Sequence, residues 1–279
     1  MHLLIIFLAL MVAYITRCQW NQSSAKWNER WHKALFFFLF PPLLIFMTTF
    51  ALLFMGPQGT MGGLQTGCYG YLIALICMAF FAVVCIKQAW LGWLSVKSTR
   101  NCPKVDVAGT QVRLLDTGAL FAGQIGFLKP ELVLSSGLLK TLSSNHIETV
   151  LAHEQGHYYY QDTFWFFWLG WMRECTSWLP YTETLWQELL TLRELRADAH
   201  AVSYVDPLLL AESLLMVVNS SPISSEILCA ALGSPHANRL EERVEALLSQ
   251  PQPTPEVKFT SLKWLLWTFI PLVSVVFHS

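Results

Sequence analysis

The chain has 279 residues, 54% of them hydrophobic and only 13% charged, with a mean hydropathy of +0.42. A soluble domain carries roughly a quarter charged residues, so lipid is one of this chain's expected solvents. The net charge of −1 gives no basis for direct nucleic-acid binding. The cysteines at 18, 68, 77, 85, 102, 175 and 229 are scattered and contain no C-x-x-C pair, which argues against a disulfide framework or a thiolate zinc site and fits a reducing compartment for the polar part.

Met1 to Ile15 is an almost unbroken apolar run followed by Arg17. It lacks a basic start and a small-residue cleavage site, which favours a retained anchor over about 1–16 rather than a signal peptide. A second span is predicted over 34–55, where Pro41 and Pro42 either kink the helix or sit where neighbours satisfy the freed carbonyls. The third covers 71–94, with Lys87 placed to snorkel to an interface. Near the C-terminus, Trp264 to Phe277 is short for the ~20 residues a crossing needs. A fourth, C-terminal span is nevertheless predicted over 259–279, the alternative being an amphipathic tail docked on the domain.

Arg17, Lys26, Arg30 and Lys33 lie between the first two spans, and Gly56 to Gly70 carries no charge. Lys97, Arg100 and Lys104 follow the third span, and Lys258 and Lys263 precede the fourth. All basic flanks fall on one side, so the polar region is expected to face the cytoplasm, with both chain ends outside.

Residues 98–258 form the polar stretch, about the size of one domain. Gln111 to Leu115 and Leu128 to Leu134 read as short strands separated by Gly118, Gly123 and Gly126. A helix is signalled after Ser143-Ser144-Asn145, with Glu148 completing a capping box on Asn145, and runs to about Gln161. The aromatic stretch from Phe164 to Leu179 reads equally as a helix on the core or one lying in the membrane. Further helices cover about Leu185 to Tyr204 and Asn238 to Leu248, the latter before the proline-rich segment 251–255. The pattern is that of an α+β domain with few strands.

The chemistry centres on His153-Glu154-Gln155-Gly156-His157. Residues four apart share a helix face, so both imidazoles reach one metal, with Glu154 beside it to accept a proton from bound water. Five residues also match by chance, so the rest of the constellation decides. Catalytic zinc needs a third protein ligand and an open position, and Glu194 is the best candidate. Asp198, four residues on, is placed to hold a ligand imidazole through its second ring nitrogen. The bland reading of Glu194 and Asp198 is a surface pattern paired with Arg193 or Arg196. His146 and His200 read as surface or core histidines.

The H-E-x-x-H and E-x-x-x-D pair resembles the glutamate-zinc membrane peptidases (gluzincins), which include HtpX and the CAAX prenyl proteases. More closely, Phe121 to Leu134 looks like the glycine-and-proline strand region of BlaR/MecR-type antirepressor metallopeptidases, and Arg239 to Leu248 like that family's closing arginine helix. The resemblance implies a multi-span α-helical membrane protein, in the plasma membrane of a bacterium, with an inserted α+β zincin-like metallopeptidase domain. It implies one Zn2+ held by His153, His157 and Glu194, with Glu154 as general base and Asp198 supporting a ligand. His236 and Arg243 are candidates for substrate or oxyanion contact, Arg243 alternatively for a structural ion pair. No penicillin-sensing domain like that of the beta-lactam receptors is expected after the last span, and Ser23-Ser24-Ala25-Lys26 is expected to be a chance S-x-x-K match.

Substrate is expected to lie extended against the 127–134 strand. Three functions follow from the resemblance and the residues. One is regulated cleavage of a cytoplasmic protein such as a winged-helix transcriptional repressor. The second is HtpX-like quality control of membrane proteins. The third is a non-catalytic signalling scaffold with structural zinc, against which the intact Glu154 argues.

Overall fold

The apolar runs of the first hundred residues form three helices in the computed structural model, which describes residues 1–21, 27–58, 60–61, 64–65, 68–218, 239–249 and 259–276. They are α1 (His2–Cys18), α2 (Trp27–Met55) and α3 (Cys68–Arg100), with a two-stranded hairpin of β1 (Thr60–Met61) and β2 (Leu64–Gln65) between the last two. By length and composition, α2 and α3 are long and apolar enough to cross a membrane. At 17 residues, α1 is about 26 Å long, short of a hydrocarbon core of about 30 Å. The C-terminal segment is a 3₁₀ stretch (Phe259–Phe269) followed by a short α-helix (Ile270–Val276), and its apolar part is likewise shorter than a span.

The chain divides into two units: 1–86 with 171–189 and 255–279, and 87–170 with 190–254. In the first, Ala13, Ile45, Phe81, Cys175 and Leu179 form one apolar cluster, and Ala51, Leu52, Met55 and Ala74 another. Pro41 and Pro42 lie inside α2. Pro42 has no N–H to give to Phe38 O, four residues back, and the Arg17 guanidinium donates to that carbonyl at 3.1 Å instead. Of the two expectations for this proline pair, the satisfied carbonyl is seen. A buried ion pair, Arg30 Nε to Glu188 Oε1 at 2.7 Å, adds a second polar tie to the same unit.

The second unit is built on four strands: β3 (Lys104–Val107), β4 (Thr110–Leu115), β5 (Ala122–Ile125) and β6 (Glu131–Ser135), in the order β3-β4-β6-β5. Ala108 and Gly109, both at positive φ (51° and 80°), make the two-residue turn that pairs β3 antiparallel with β4. β4 and β6 run parallel, and β5 and β6 antiparallel. One sheet face packs Val112, Leu132 and Leu134 with Leu151; the other packs Phe121, Ile125 and Val133 with Val96 of α3. Arg113 locks the end of α3 to the sheet, donating to Arg100 O and Cys102 O at 2.9 Å each and to Glu131 Oε2 at 2.7 Å.

Helices α4 (Ser136–Thr141), α5 (Ser144–Tyr159), α6 (Asp162–Cys175), α7 (Thr182–Ala201), α8 (Pro207–Val218) and α9 (Leu240–Leu248) follow. The cap of α5 is Ser143, whose side chain accepts from His146 N, rather than the expected Asn145 box. The expected strand over 128–134 begins instead at Glu131, because Gly126 to Pro130 is spent on the turn from β5, a strand the glycine spacing concealed. β6 lies inside the sheet with neighbours on both sides, so it has no edge to offer a substrate; β3 and β5 are the edge strands of this sheet among the described residues, and β5 is the one beside β6.

Candidate metal centre

The site is assembled from residues of α5, α6, α7 and α9 that all belong to the second unit. Gly156 is the residue that lets α5 and α7 meet. A Cβ there would stand 3.0 Å from Ala197 Cα and 3.1 Å from Ala197 O, so any larger residue would push α7 away. Glycine costs roughly 1 kcal/mol in a helix interior, and the close approach it permits brings Glu194 and Asp198 onto the histidines.

Nε2 of His153 and Nε2 of His157 lie 3.1 Å apart. His153 Nε2 is 3.4 Å from Glu194 Oε2, and His157 Nε2 is 3.7 Å from Glu194 Oε1. The donors of a tetrahedral ion bonded at about 2.1 Å stand about 3.4 Å apart, so this set fits zinc. The other ring nitrogens are committed elsewhere. His157 Nδ1 hydrogen-bonds Asp162 Oδ2 at 2.7 Å, and Asp198 Oδ1 approaches His153 Nδ1 to 2.8 Å, an ion-pair distance without hydrogen-bond alignment. Carboxylates on Nδ1 turn the Nε2 lone pairs toward a common point, which is how metal-binding imidazoles are held.

Three guanidiniums hold the acids in turn. Arg243 donates from Nε and Nη2 to Asp198 at 2.7 and 2.8 Å, with Nη1 3.3 Å from Glu194 Oε2. Arg193 meets Glu194 Oε1 at 2.7 Å, and Arg196 pairs with Asp162 Oδ1 while lying over the Tyr160 ring. Glu154, Asp162, Glu194 and Asp198 are all buried; against Arg193, Arg196 and Arg243 they leave one negative charge for a cation to balance.

The proton affinities report that field. Burial alone would lower His157, but Glu194 and Asp162 outweigh it and lift the imidazole to about 10. His153 is raised too, burial opposing and Asp198 prevailing. Burial would raise Glu194, yet Arg193 and His157 hold it well below the usual carboxylate range. Asp198 is likewise lowered, with Arg243 overcoming the burial.

Of the residues singled out in the sequence, His153, Glu154, His157, Glu194, Asp198 and Arg243 come together. Arg243 is ion-paired with Asp198 and Glu194. His236 and Ser23 to Lys26 lie outside the described residues. His146 sits at the start of α5 against Ser143, and His200 stacks on Tyr159. The pairing of Arg193 with Glu194 was one of the sequence expectations, whereas sequence reasoning missed Asp162 and Gln124, whose amide donates to Glu154 O at 3.3 Å and ties β5 to the helix. A groove of about 650 Å³ opens between sheet and α5, lined in part by Gln124, Glu131, Leu151, Gln155 and Tyr158.

Residues 93–172 match the model of peptidase family M48. The match runs from the end of α3 into α6, so it includes His153, Glu154, His157 and Asp162 and stops short of Glu194. No curated protein and no solved structure matches the chain. Over β3 to α6 the chain is similar to the M48 peptidases, and that similarity, with a His153-His157-Glu194 cluster able to hold a metal ion, points to a metallopeptidase.

Proposed function

We propose that the chain is a zinc-dependent endopeptidase anchored in a membrane, with His153, His157 and Glu194 as ligands. The observation that carries this reading is the convergence of three buried donors at tetrahedral spacing, each backed by a charged partner. Zinc bound there supplies Lewis acidity, acidifying a water and polarising a carbonyl. Glu154 is the general base and then the acid: its Oε2 is buried without a hydrogen-bond partner among the described residues, so a lone pair is available for the water proton that passes to the leaving amine. Asp162 and Asp198 fix the two imidazoles, and Arg193 and Arg243 keep Glu194 ionised. Substrate adds as a strand along the open side of β5, which Gln124 couples to the backbone of Glu154.

In this reading α2 and α3 cross the bilayer with α1 and the C-terminal segment completing a multi-pass anchor. The one-sided basic flanks support a peptidase on the cytoplasmic face, and the resemblance to bacterial antirepressor peptidases supports a bacterial plasma membrane. The likeness of 121–134 and 239–248 to BlaR/MecR-type proteins supports regulated proteolysis of a cytoplasmic repressor of the winged-helix kind. The largely exposed apolar surface of α3 favours a second reading, HtpX-like quality control of membrane proteins. N-terminal proteomics of cells carrying wild type or Glu154→Ala separates them: new termini that depend on Glu154 in one repressor support the first, and termini spread over membrane proteins the second. Identical sets in both strains would dismiss the peptidase.

A further inference from the structure

The exposed face of α6 is aromatic, the reverse of a helix that rests on a core and faces water. Phe166 and Leu169 are buried, whereas Trp165 and Trp168 are exposed, Trp165 to 56%. The turn from β5 to β6 adds to this face. Phe127 packs against Phe164, Phe167 and Trp168 with ring centroids 5.0, 4.9 and 6.2 Å away, and Leu128 at the tip is 76% exposed. Monomeric soluble domains seldom present such a contiguous apolar surface without a partner for it.

The occupant follows from α3. Its 33 residues span about 50 Å, some 20 Å more than a hydrocarbon core. A crossing of about 20 residues begun at Tyr69 ends near Gln88, beside the exposed Lys87, which leaves Trp90 and Trp93 in the headgroup layer where tryptophan concentrates. At that level Gln88 Nε2 donates to Phe167 O at 3.2 Å, which places α6 at the same height. Val96, which packs with Phe121, just before β5, and Ile125 at its end, lies about 12 Å further along the helix. Lys97, over the Trp93 ring, and Lys129, next to Leu128, supply positive charge along the same rim.

We propose that Phe127, Leu128, Phe164, Trp165 and Trp168 bed in the headgroup region of the bilayer that α3 crosses. The open strand β5 is thereby held within about 10–15 Å of the hydrocarbon core. Under the second peptidase reading, cleavage of membrane proteins, on which this last step rests, the bonds cut belong to segments lying at the membrane surface, next to an anchor. The bedding itself does not depend on catalysis.

The test uses the full chain in vesicles of phosphatidylcholine with phosphatidylglycerol, carrying the photo-crosslinker benzoylphenylalanine in place of Leu128 or Trp165. Leu75 on the exposed face of the α3 span is the positive control, and Thr110 in the hairpin at the far edge of the sheet the negative one. Lipid adducts at 128 and 165 but not at 110 are expected; adducts at 75 alone overturn the bedding. The substrate step is read with a single-anchor fusion protein whose cleavable segment sits beside the anchor or on a helical spacer of about 30 residues, which lifts it about 45 Å. The lifted segment is expected to be cut at least about tenfold more slowly, because it loses the effective concentration that the surface provides. Equal rates overturn that step. If adducts form at 128 and 165 while neither fusion is cut, the membrane-protein reading fails and the lipid surface stands.

Discussion

Asp162 is the residue that the geometry adds to the site. It shares its two oxygens between His157 Nδ1 and Arg196, and so transmits the charge of one residue to the orientation of another. Replacing a carboxylate that orients a metal-binding imidazole weakens metal affinity about 10- to 100-fold, and Asp162→Asn is expected to fall in that range by chelator competition. Unchanged affinity would reduce Asp162 to a packing role. The raised His157 gives a second expectation. In the metal-free chain its imidazolium stabilises the fold fully below the ordinary value of about 6.5, and that contribution is lost as pH climbs through about 10. Zinc takes the neutral ring, so loading near neutral pH must expel a proton and affinity must rise with pH across that window. Calorimetry in buffers of differing ionisation enthalpy is expected to show net proton release on zinc binding; none would mean that the imidazoles are already neutral.

At the scale of elements, the decisive contact is the approach of α5 to α7 at Gly156. Gly156→Leu is expected to abolish zinc retention while far-ultraviolet circular dichroism still shows the helices, since it separates ligand sets without removing one. Retained zinc at one ion per chain would contradict that geometry. The same helices show why part of the site could be read from residues alone. His153 and His157, and Glu194 and Asp198, are four apart on single helices, where spacing translates directly into a shared face. Asp162 was hidden because it reaches His157 through a reversal at Gln161, a non-glycine residue at φ 54° that no pattern announced. β3 and β5 are four residues each, too short for alternation to register, and α8 is so uniformly apolar that it shows no helical period. The strand read over 128–134 merged a turn with β6, and with that the edge available to substrate moved from β6 to β5.

Over the whole molecule, two solvents shape the chain. α2 and α3 have the length and composition for lipid, while the second unit gathers most of the buried charge into one site whose acids exceed its guanidiniums by one. The central claim is that this buried cluster holds one catalytic zinc and that Glu154 moves the proton. It is tested most directly by purifying the full chain and its Glu154→Gln variant from membranes and measuring, on the same samples, zinc per chain and hydrolysis of a protein substrate identified by the proteomic comparison. One zinc in each, with hydrolysis lost by at least about 10²-fold in the variant, is the predicted result. Zinc in both with hydrolysis undiminished in Glu154→Gln, or a wild type that cleaves while holding no metal, would contradict it.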